Sequence, residues 1–297
     1  MSLRSLLFVP GDSERKLAKG QSSGADALIL DLEDSVAPAR KSVARGMVRA
    51  YLEARREDRS CELWVRINPI TDGGLDDLVA IVRAAPDGIV VPKTDGPGDL
   101  VQLGHFIDAL ERRDAVAKPI RFLPVATETP RAPFALAAYA DTPLPRLFGL
   151  TWGAEDLSTA LGASTNRDAQ GAFAYTYRMV RSTCLLAAKA AGVAAIETLY
   201  ADFRDLEGLR ADSAAASREG FTGRIAIHPD QAGIINEAFS PSLEDVAQAR
   251  RILAAFEAQP GTGVVGLDGK MLDIPHLRQA EQVLARAAAL AARAGTR

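Results

Sequence analysis

The residues best suited to chemistry fall in short clusters, each directly behind a short apolar run. Asp31-Leu32-Glu33-Asp34, Arg66-Ile67-Asn68-Pro69 and Pro92-Lys93 come first; Thr127-Glu128-Thr129, Gly153-Ala154-Glu155-Asp156 and His228-Pro229 follow. If the runs are parallel strands of one barrel, all six clusters share its C-terminal rim, where active sites of that architecture form. Glu128 and Asp156 then bring two hard oxygen ligands from adjacent strand ends to one mouth. That donor set suits Mg²⁺, with water and substrate completing the shell. The competing reading makes Glu128 a helix cap and Asp156 a turn cap. Arg66, a permanently charged fork at a strand end, suits a carboxylate or a developing oxyanion. An ion pair with Asp31 and Glu33 is its alternative, and the two roles are compatible. Asp31, Glu33 and Asp34 read as groups that orient waters and Arg66, or as a solvated loop with Asp34 capping a helix. Lys93 could act as Arg66 does, but no spacing singles it out.

Histidine-driven acid–base chemistry has little support. His105 falls in an outer helix, His276 at the start of the last helix, and only His228, ending a strand, is placed to meet a ligand. Ser-His-Asp, P-loop and GxGxxG patterns are missing, which leaves carboxylates, a cation and a metal. The 297 residues are 47% hydrophobic with a formal net charge of −3, enough for one barrel or two smaller domains. So balanced a charge gives no basic field for nucleic acid. Cys61 and Cys184 lack a CxxC partner and read as buried reduced thiols. The N-terminal apolar run is broken by Pro10-Gly11 before it reaches signal-peptide length, and no stretch reaches the ~20 residues of a membrane span. A cytoplasmic protein without a membrane partner is expected.

The elements that must position these residues alternate. Strands are expected at Ser5–Val9, Ala27–Leu32, Glu62–Asn68, Gly88–Pro92, Arg121–Ala126, Arg146–Thr151, Ala194–Leu199 and Arg224–His228. Continuous apolar runs such as Ala27-Leu28-Ile29-Leu30 suit parallel strands covered on both faces. Helices are expected around Ser13–Gly20 behind an Asp12-Ser13 cap, Pro38–Arg56, Gly74–Ala84, Gly98–Arg113, Pro130–Ala138 and Ala169–Ala191. This alternation points to an α/β fold of the (β/α)₈ TIM-barrel class rather than an open doubly wound sheet. The barrel pattern closes by residue 240. Residues 241–297 differ: a helix at Leu243–Ala258, two short apolar segments joined by Asp268-Gly269, a strong hairpin signal, and a helix at Pro275–Ala294. Such an appendage must pack on its own barrel or on a neighbouring subunit.

Several motifs together resemble the HpcH/HpaI aldolase and citrate lyase β-subunit (CitE-like) superfamily, nearest its malyl-CoA and citramalyl-CoA lyases. They are Leu7-Phe8-Val9-Pro10-Gly11, Leu30-Asp31-Leu32-Glu33-Asp34-Ser35-Val36, Arg66-Ile67-Asn68, Val91-Pro92-Lys93, Glu128-Thr129 and Gly153-Ala154-Glu155-Asp156-Leu157. Gly223–Pro229 and Gly269–Pro275 complete the series in the family's order across nearly the whole chain. The resemblance implies Mg²⁺, or Mn²⁺, held by Glu128 and Asp156, and Arg66 on the acyl or keto-acid part of the substrate. It implies coenzyme A contacts at Phe8, Arg15, Lys19, Ile227 and His228. Arg15 and Lys19, four apart, would share a helix face toward the nucleotide phosphates; otherwise they are an ordinary solvated pair. It also implies that the C-terminal hairpin is a lid. Its aspartate, Asp273 here, would reach a neighbouring barrel in a homo-oligomer, trimer or hexamer, and act as catalytic acid/base. By itself Asp273 would read as a helix cap.

The expected activity is cleavage or formation of a 3-hydroxyacyl-CoA from acetyl-CoA and a 2-keto acid. A citrate lyase β subunit working on a carrier-protein thioester, a barrel aldolase for free hydroxy-keto acids and a non-catalytic CoA-binding relative are the rivals. The stretch Pro130-Arg131-Ala132 departs from the family, where many members have glycine at its third place, and its proline, suited to a helix start, predicts a small change in loop shape near the metal.

Overall fold

The computed structural model describes residues 3–295. Residues 1–2 and 296–297, the outer ends of the two expected domains, lie outside the described residues. The chain divides into two compact units, Leu3–Asn236 and a second that runs from Glu237 on.

The first unit is built on eight strands: β1 (Ser5–Pro10), β2 (Ala27–Asp31), β3 (Glu62–Arg66), β4 (Gly88–Val91), β5 (Arg121–Pro124), β6 (Gly149–Thr151), β7 (Ala194–Glu197) and β8 (Gly223–Ala226). They run in the order β5-β4-β3-β2-β1-β8-β7-β6, with every ladder parallel. The two ends of that order meet through isolated parallel bridges, Phe122 with Leu147 and Val125 with Thr151. Phe122 N–H donates to Arg146 O at 2.7 Å and Ala126 N–H to Thr151 O at 2.8 Å. The sheet therefore closes as a TIM barrel, with one irregular seam. All residues of β2, β4 and β8 are buried, as parallel strands covered on both faces must be. Leu6, Ile29, Trp64, Val90, Leu123, Val125, Ile196 and Ile225 pack into one core cluster, with half-buried Phe8 and Phe148 against it. Gly88 is required there, because a Cβ would stand 2.3 Å from the Trp64 ring.

Helices follow the strands: α1 (Glu14–Gln21), α2 (Lys41–Glu53), α3 (Leu75–Ile81), α4 (Pro97–Asp114), α5 (Ala132–Ala135), α6 (Glu155–Ala160), α7 (Tyr175–Ala190), α8 (Leu206–Glu219) and α9 (Pro229–Ala238). Several expectations need correction. The strands stop up to two residues early, so Asn68, Lys93, Glu128 and His228 all stand on loops beyond them. The sixth strand starts at Gly149 rather than Arg146, since Leu147 makes only an isolated bridge at the seam. The expected helix Ala169–Ala191 starts at Tyr175. Gly171 takes φ +81°, and the Asp168 carboxylate accepts from the N–H groups of Gln170 and Ala172 at 3.0 Å. That local turn competes with helix and wins over six residues. Ser13 stands at the N-cap of α1 without a side-chain cap bond, and Asp12 pairs instead with Arg40 at 2.8 Å. Cys184 is buried but Cys61 only half so, and His105 on α4 is exposed. No helix among the described residues is long and apolar enough to cross a membrane.

The second unit holds α10 (Leu243–Glu257), the antiparallel pair β9 (Val264–Leu267) and β10 (Lys270–Asp273), and α11 (Ile274–Gly295). A capping box between Ser242 and Asp245 opens α10. Asp268 and Gly269 both take positive φ, 50° and 73°, which is what a two-residue hairpin turn demands. Phe256, Val265 and Leu272 form a small core, with Ile252, Leu267 and Leu277 packed on it.

Candidate active site

The end of β3 carries Arg66 into a set of acids. Its Nε and Nη2 each donate to Asp31 at 2.7 Å, a bidentate pair that fixes the guanidinium plane. Nη1 lies 2.9 Å from Glu33 and 3.9 Å from Asp34. The aromatic ring of Phe8, on β1, sits 4.5 Å from the guanidinium carbon. Burial alone would raise the Asp31 carboxyl; the Arg66 guanidinium overrides that and holds it below the usual carboxylate range. The ion-pair reading of Arg66 is therefore realised in this structure.

Support for this cluster comes from residues that sequence reasoning passed over. Lys41 Nζ donates to the carbonyls of Leu32 and Glu33 and to Asn68 Oδ1, all at 2.7 Å. Asp77, fully buried on α3, accepts from both nitrogens of Asn68 at 2.7 Å and from Arg45 at 2.6 Å. Neither lies at a strand end, so the rule of searching the rim could not find them.

Lys93 proves central. Its ammonium hydrogen-bonds Glu33 and lies 3.5 Å from both Asp34 and Asp156. Its backbone N–H donates to Glu128 Oε2 at 2.7 Å. Glu128 is 6% exposed, and Gly153 makes room for it: a Cβ there would stand 3.1 Å from Glu128 Cγ. Thr127 Oγ1 accepts from Gly153 N–H at 3.1 Å, tying the two loops together. Beside Pro130, Thr129 Oγ1 donates to Asp95 at 2.5 Å and accepts from Ala132 N–H at 3.1 Å.

Burial, followed by the negative charge of Asp156, pushes the Glu128 carboxyl up to about 8. A buried carboxylate beside a second one is stabilised by a cation between them. Among the described residues no group of three or more His, Cys, Asp or Glu is arranged to hold a metal. Two carboxylates, with the other positions left to water and ligand, would suit a hard divalent ion such as Mg²⁺.

The five residues expected to meet a coenzyme do come together. Phe8, Arg15, Lys19, Ile227 and His228 line one cavity of about 490 Å³, joined by Lys16, which the sequence reading did not single out. Arg15, Lys16 and Lys19 are exposed on α1; among the described residues none of them has a carboxylate at ion-pair distance. The loop after β8 is held by fully buried Gln231, whose Oε1 accepts from the N–H groups of Ile227 and His228 at 2.8 and 3.2 Å. The His228 ring stacks on Phe203, centroids 5.1 Å apart.

Asp273 ends β10 in the second unit. Within that unit its carboxylate meets His276 Nδ1 at 2.5 Å, and its N–H donates to the same nitrogen at 3.3 Å. The side chain is 42% exposed, so it is open to a ligand or a neighbouring molecule.

Known proteins bear on this arrangement. A (3S)-malyl-CoA thioesterase from Cereibacter sphaeroides is 37% identical over 292 residues, spanning 97% of this chain and 96% of that protein. A mitochondrial citramalyl-CoA lyase from Rattus norvegicus is 31% identical over 299 residues, spanning 97% and 86%. The crystal structure of CitE from Mycobacterium tuberculosis, in complex with magnesium, acetoacetate and coenzyme A, superposes with a TM-score of 0.76. It is 33% identical and covers 97% of this chain and 98% of that one. Residues 4–229 match the family model for HpcH/HpaI aldolase/citrate lyase. With the match running from the first barrel strand to the loop after the last, this chain belongs to the HpcH/HpaI aldolase/citrate lyase family.

Proposed function

We propose that the chain is a Mg²⁺-dependent carbon–carbon lyase. Its substrate is a 3-hydroxyacyl-CoA of the malyl-CoA or citramalyl-CoA kind, its products acetyl-CoA and a 2-keto acid. One observation carries this reading: Phe8 both lines the cationic cavity and lies on Arg66. A ligand with a phosphate-bearing handle in the cavity would therefore deliver its acyl end to the acid-and-arginine rim. The relatives named for malyl-CoA and citramalyl-CoA point to the same substrate class.

Arg15 and Lys19, with Lys16 beside them, bind the nucleotide phosphates, and Phe8, Ile227 and His228 pack along the coenzyme. Glu128 and Asp156 would hold magnesium (or manganese), which would supply Lewis acidity to the substrate. As the bond between the α and β carbons breaks, the hydroxyl gives its proton to solvent water and becomes the keto oxygen. The electron pair passes into the thioester as an enolate, whose negative charge Arg66 offsets. Asp31, with Glu33 and Asp34, holds Arg66 in place for that. Asp273, carried by the hairpin of a neighbouring subunit in a homo-oligomer, returns a proton to the α carbon, or removes it in the condensing direction.

A second reading is favoured by the 37% identical thioesterase: hydrolysis of the same thioester to hydroxy acid and free coenzyme A. The deciding assay gives the purified protein Mg²⁺ and a panel of hydroxyacyl-CoAs, and follows keto acid and free thiol separately. Keto acid without free thiol supports the lyase. Free thiol without keto acid establishes the thioesterase. Silence with every CoA ester, but turnover of a carrier-protein thioester or a free hydroxy-keto acid, would transfer the assignment to a citrate lyase β subunit or an aldolase. Coenzyme A binding without any turnover would leave a binding module.

A further inference from the structure

Among the described residues four non-glycine residues take positive φ: Ala85, Lys93, Ala115 and Asp268. Ala85 and Ala115 end helices, and Asp268 turns the hairpin. Lys93, with φ +52°, does neither; it stands on the rim, with Pro92 between it and the end of β4. A Cβ makes this conformation unfavourable, so surrounding contacts must impose it. What it achieves is a division of labour within one residue. The backbone N–H turns onto Glu128, while the ammonium reaches Glu33 and comes within 3.5 Å of Asp156.

Charge gives that division a purpose. Asp31, Glu33, Asp34, Glu128 and Asp156 crowd the rim, against Arg66 and Lys93 as the cations paired with them. Arg66 is committed to Asp31 by two hydrogen bonds. Lys93 is the cation that faces the Glu128/Asp156 pair, and it is less buried than Arg66, with 31% against 13% side-chain exposure.

We propose that Lys93 is a charge-setting positioning residue: it lowers the negative charge of the Glu128/Asp156 mouth so that an anionic hydroxyacyl group can enter, at some expense in divalent-cation affinity. The divalent-cation half needs only the two carboxylates. The substrate half rests on the lyase reading above.

The test uses the full-length protein with Lys93→Met, which keeps the aliphatic stem and removes the charge, and Lys93→Arg, which keeps the charge. Mn²⁺ affinity is read from the paramagnetic resonance of free Mn²⁺, without substrate. Removing a positive neighbour should tighten Mn²⁺ binding about tenfold in Lys93→Met. With saturating Mg²⁺, the same variant should show a KM for the hydroxyacyl-CoA raised about tenfold or more, because an anionic group enters a more negative mouth. Binding of coenzyme A alone should not change, and Lys93→Arg should stay near wild type on all three readouts. Unchanged or weaker Mn²⁺ binding in Lys93→Met would overturn the proposal, as would a loss shared equally by coenzyme A alone. If the wild type cleaves no hydroxyacyl-CoA, the lyase reading fails and the Mn²⁺ measurement alone decides the role of Lys93.

Discussion

The rim and the cavity beside α1 handle cations in opposite ways. At the rim, Arg66 and Lys93 are locked to carboxylates at hydrogen-bond distance, and the acids they hold are mostly buried. In the cavity, Arg15, Lys16 and Lys19 stand in solvent on one short helix, without carboxylate partners among the described residues. Locked charges in a low-dielectric mouth are preorganised, and they act on whatever charge develops there without further rearrangement. Free charges in water cost little to leave unpaired and attract phosphates from a distance, at the expense of sensitivity to salt. Under the proposed function, the rim would serve the chemistry and the cavity the capture.

Four measurements can break or sharpen that contrast. The largest effect is expected from a group that belongs to neither region: Asp273→Asn should abolish turnover, by about a hundredfold or more for a lost acid/base, with coenzyme A and metal binding kept. Turnover near wild type would remove Asp273 from the mechanism. Next, Asp31→Ala leaves the Arg66 charge without its bidentate partner. Removing one member of a buried pair should cost about 3 kcal/mol of stability in chemical denaturation, and activity should fall with it. A loss under about 0.5 kcal/mol, the range of an exposed surface substitution, would mean the pair is not locked.

The double variant Arg15→Ala/Lys19→Ala should instead leave stability within about 0.5 kcal/mol. Its KM for the acyl-CoA should rise about tenfold at low salt, and the gap to wild type should narrow as ionic strength increases. A salt-independent defect would show that these cations are not a solvated capture site. The smallest effect is a pH dependence. The folded Asp31 carboxyl is held below its ordinary value, so its contribution is complete above the unfolded aspartate range near about pH 3.9 and is lost as pH falls through the folded value. The stability gap between wild type and Asp31→Ala should be constant from neutral pH down to about 4 and shrink below that. A gap that closes already near neutrality would contradict the assigned charge state.

Much of the barrel was legible because its strands are buried on both faces and so appear as unbroken apolar runs; Ala27-Leu28-Ile29-Leu30 could hardly be anything else. Position within the alternation then located Asp31, Arg66, Glu128 and Asp156. Where local turn chemistry rivals helix, as in Arg167–Ala174, composition misled: Ala169 and Ala172 look helical, but the Asp168 side chain and Gly171 hold a turn. The cavity proposed for the coenzyme was legible only through resemblance. Nothing in the spacing of Phe8, Arg15, Ile227 and His228 says that β1 and β8 are neighbours; barrel closure brings them together.

By itself, the amino-acid sequence determined the order of strands and helices, the Asp268-Gly269 hairpin and the family. The elements and the hairpin depend on periodicity and turn chemistry within a few residues, which survive being read in one dimension; the family came from the resemblance of its motifs. Tertiary structure alone decided which cations are paired and which are free. It also decided that a lysine after the fourth strand would be forced into a left-handed backbone between Glu128 and Asp156. Such facts depend on distances between residues 35 to 63 positions apart, set by how the sheet closes, and no local pattern encodes them.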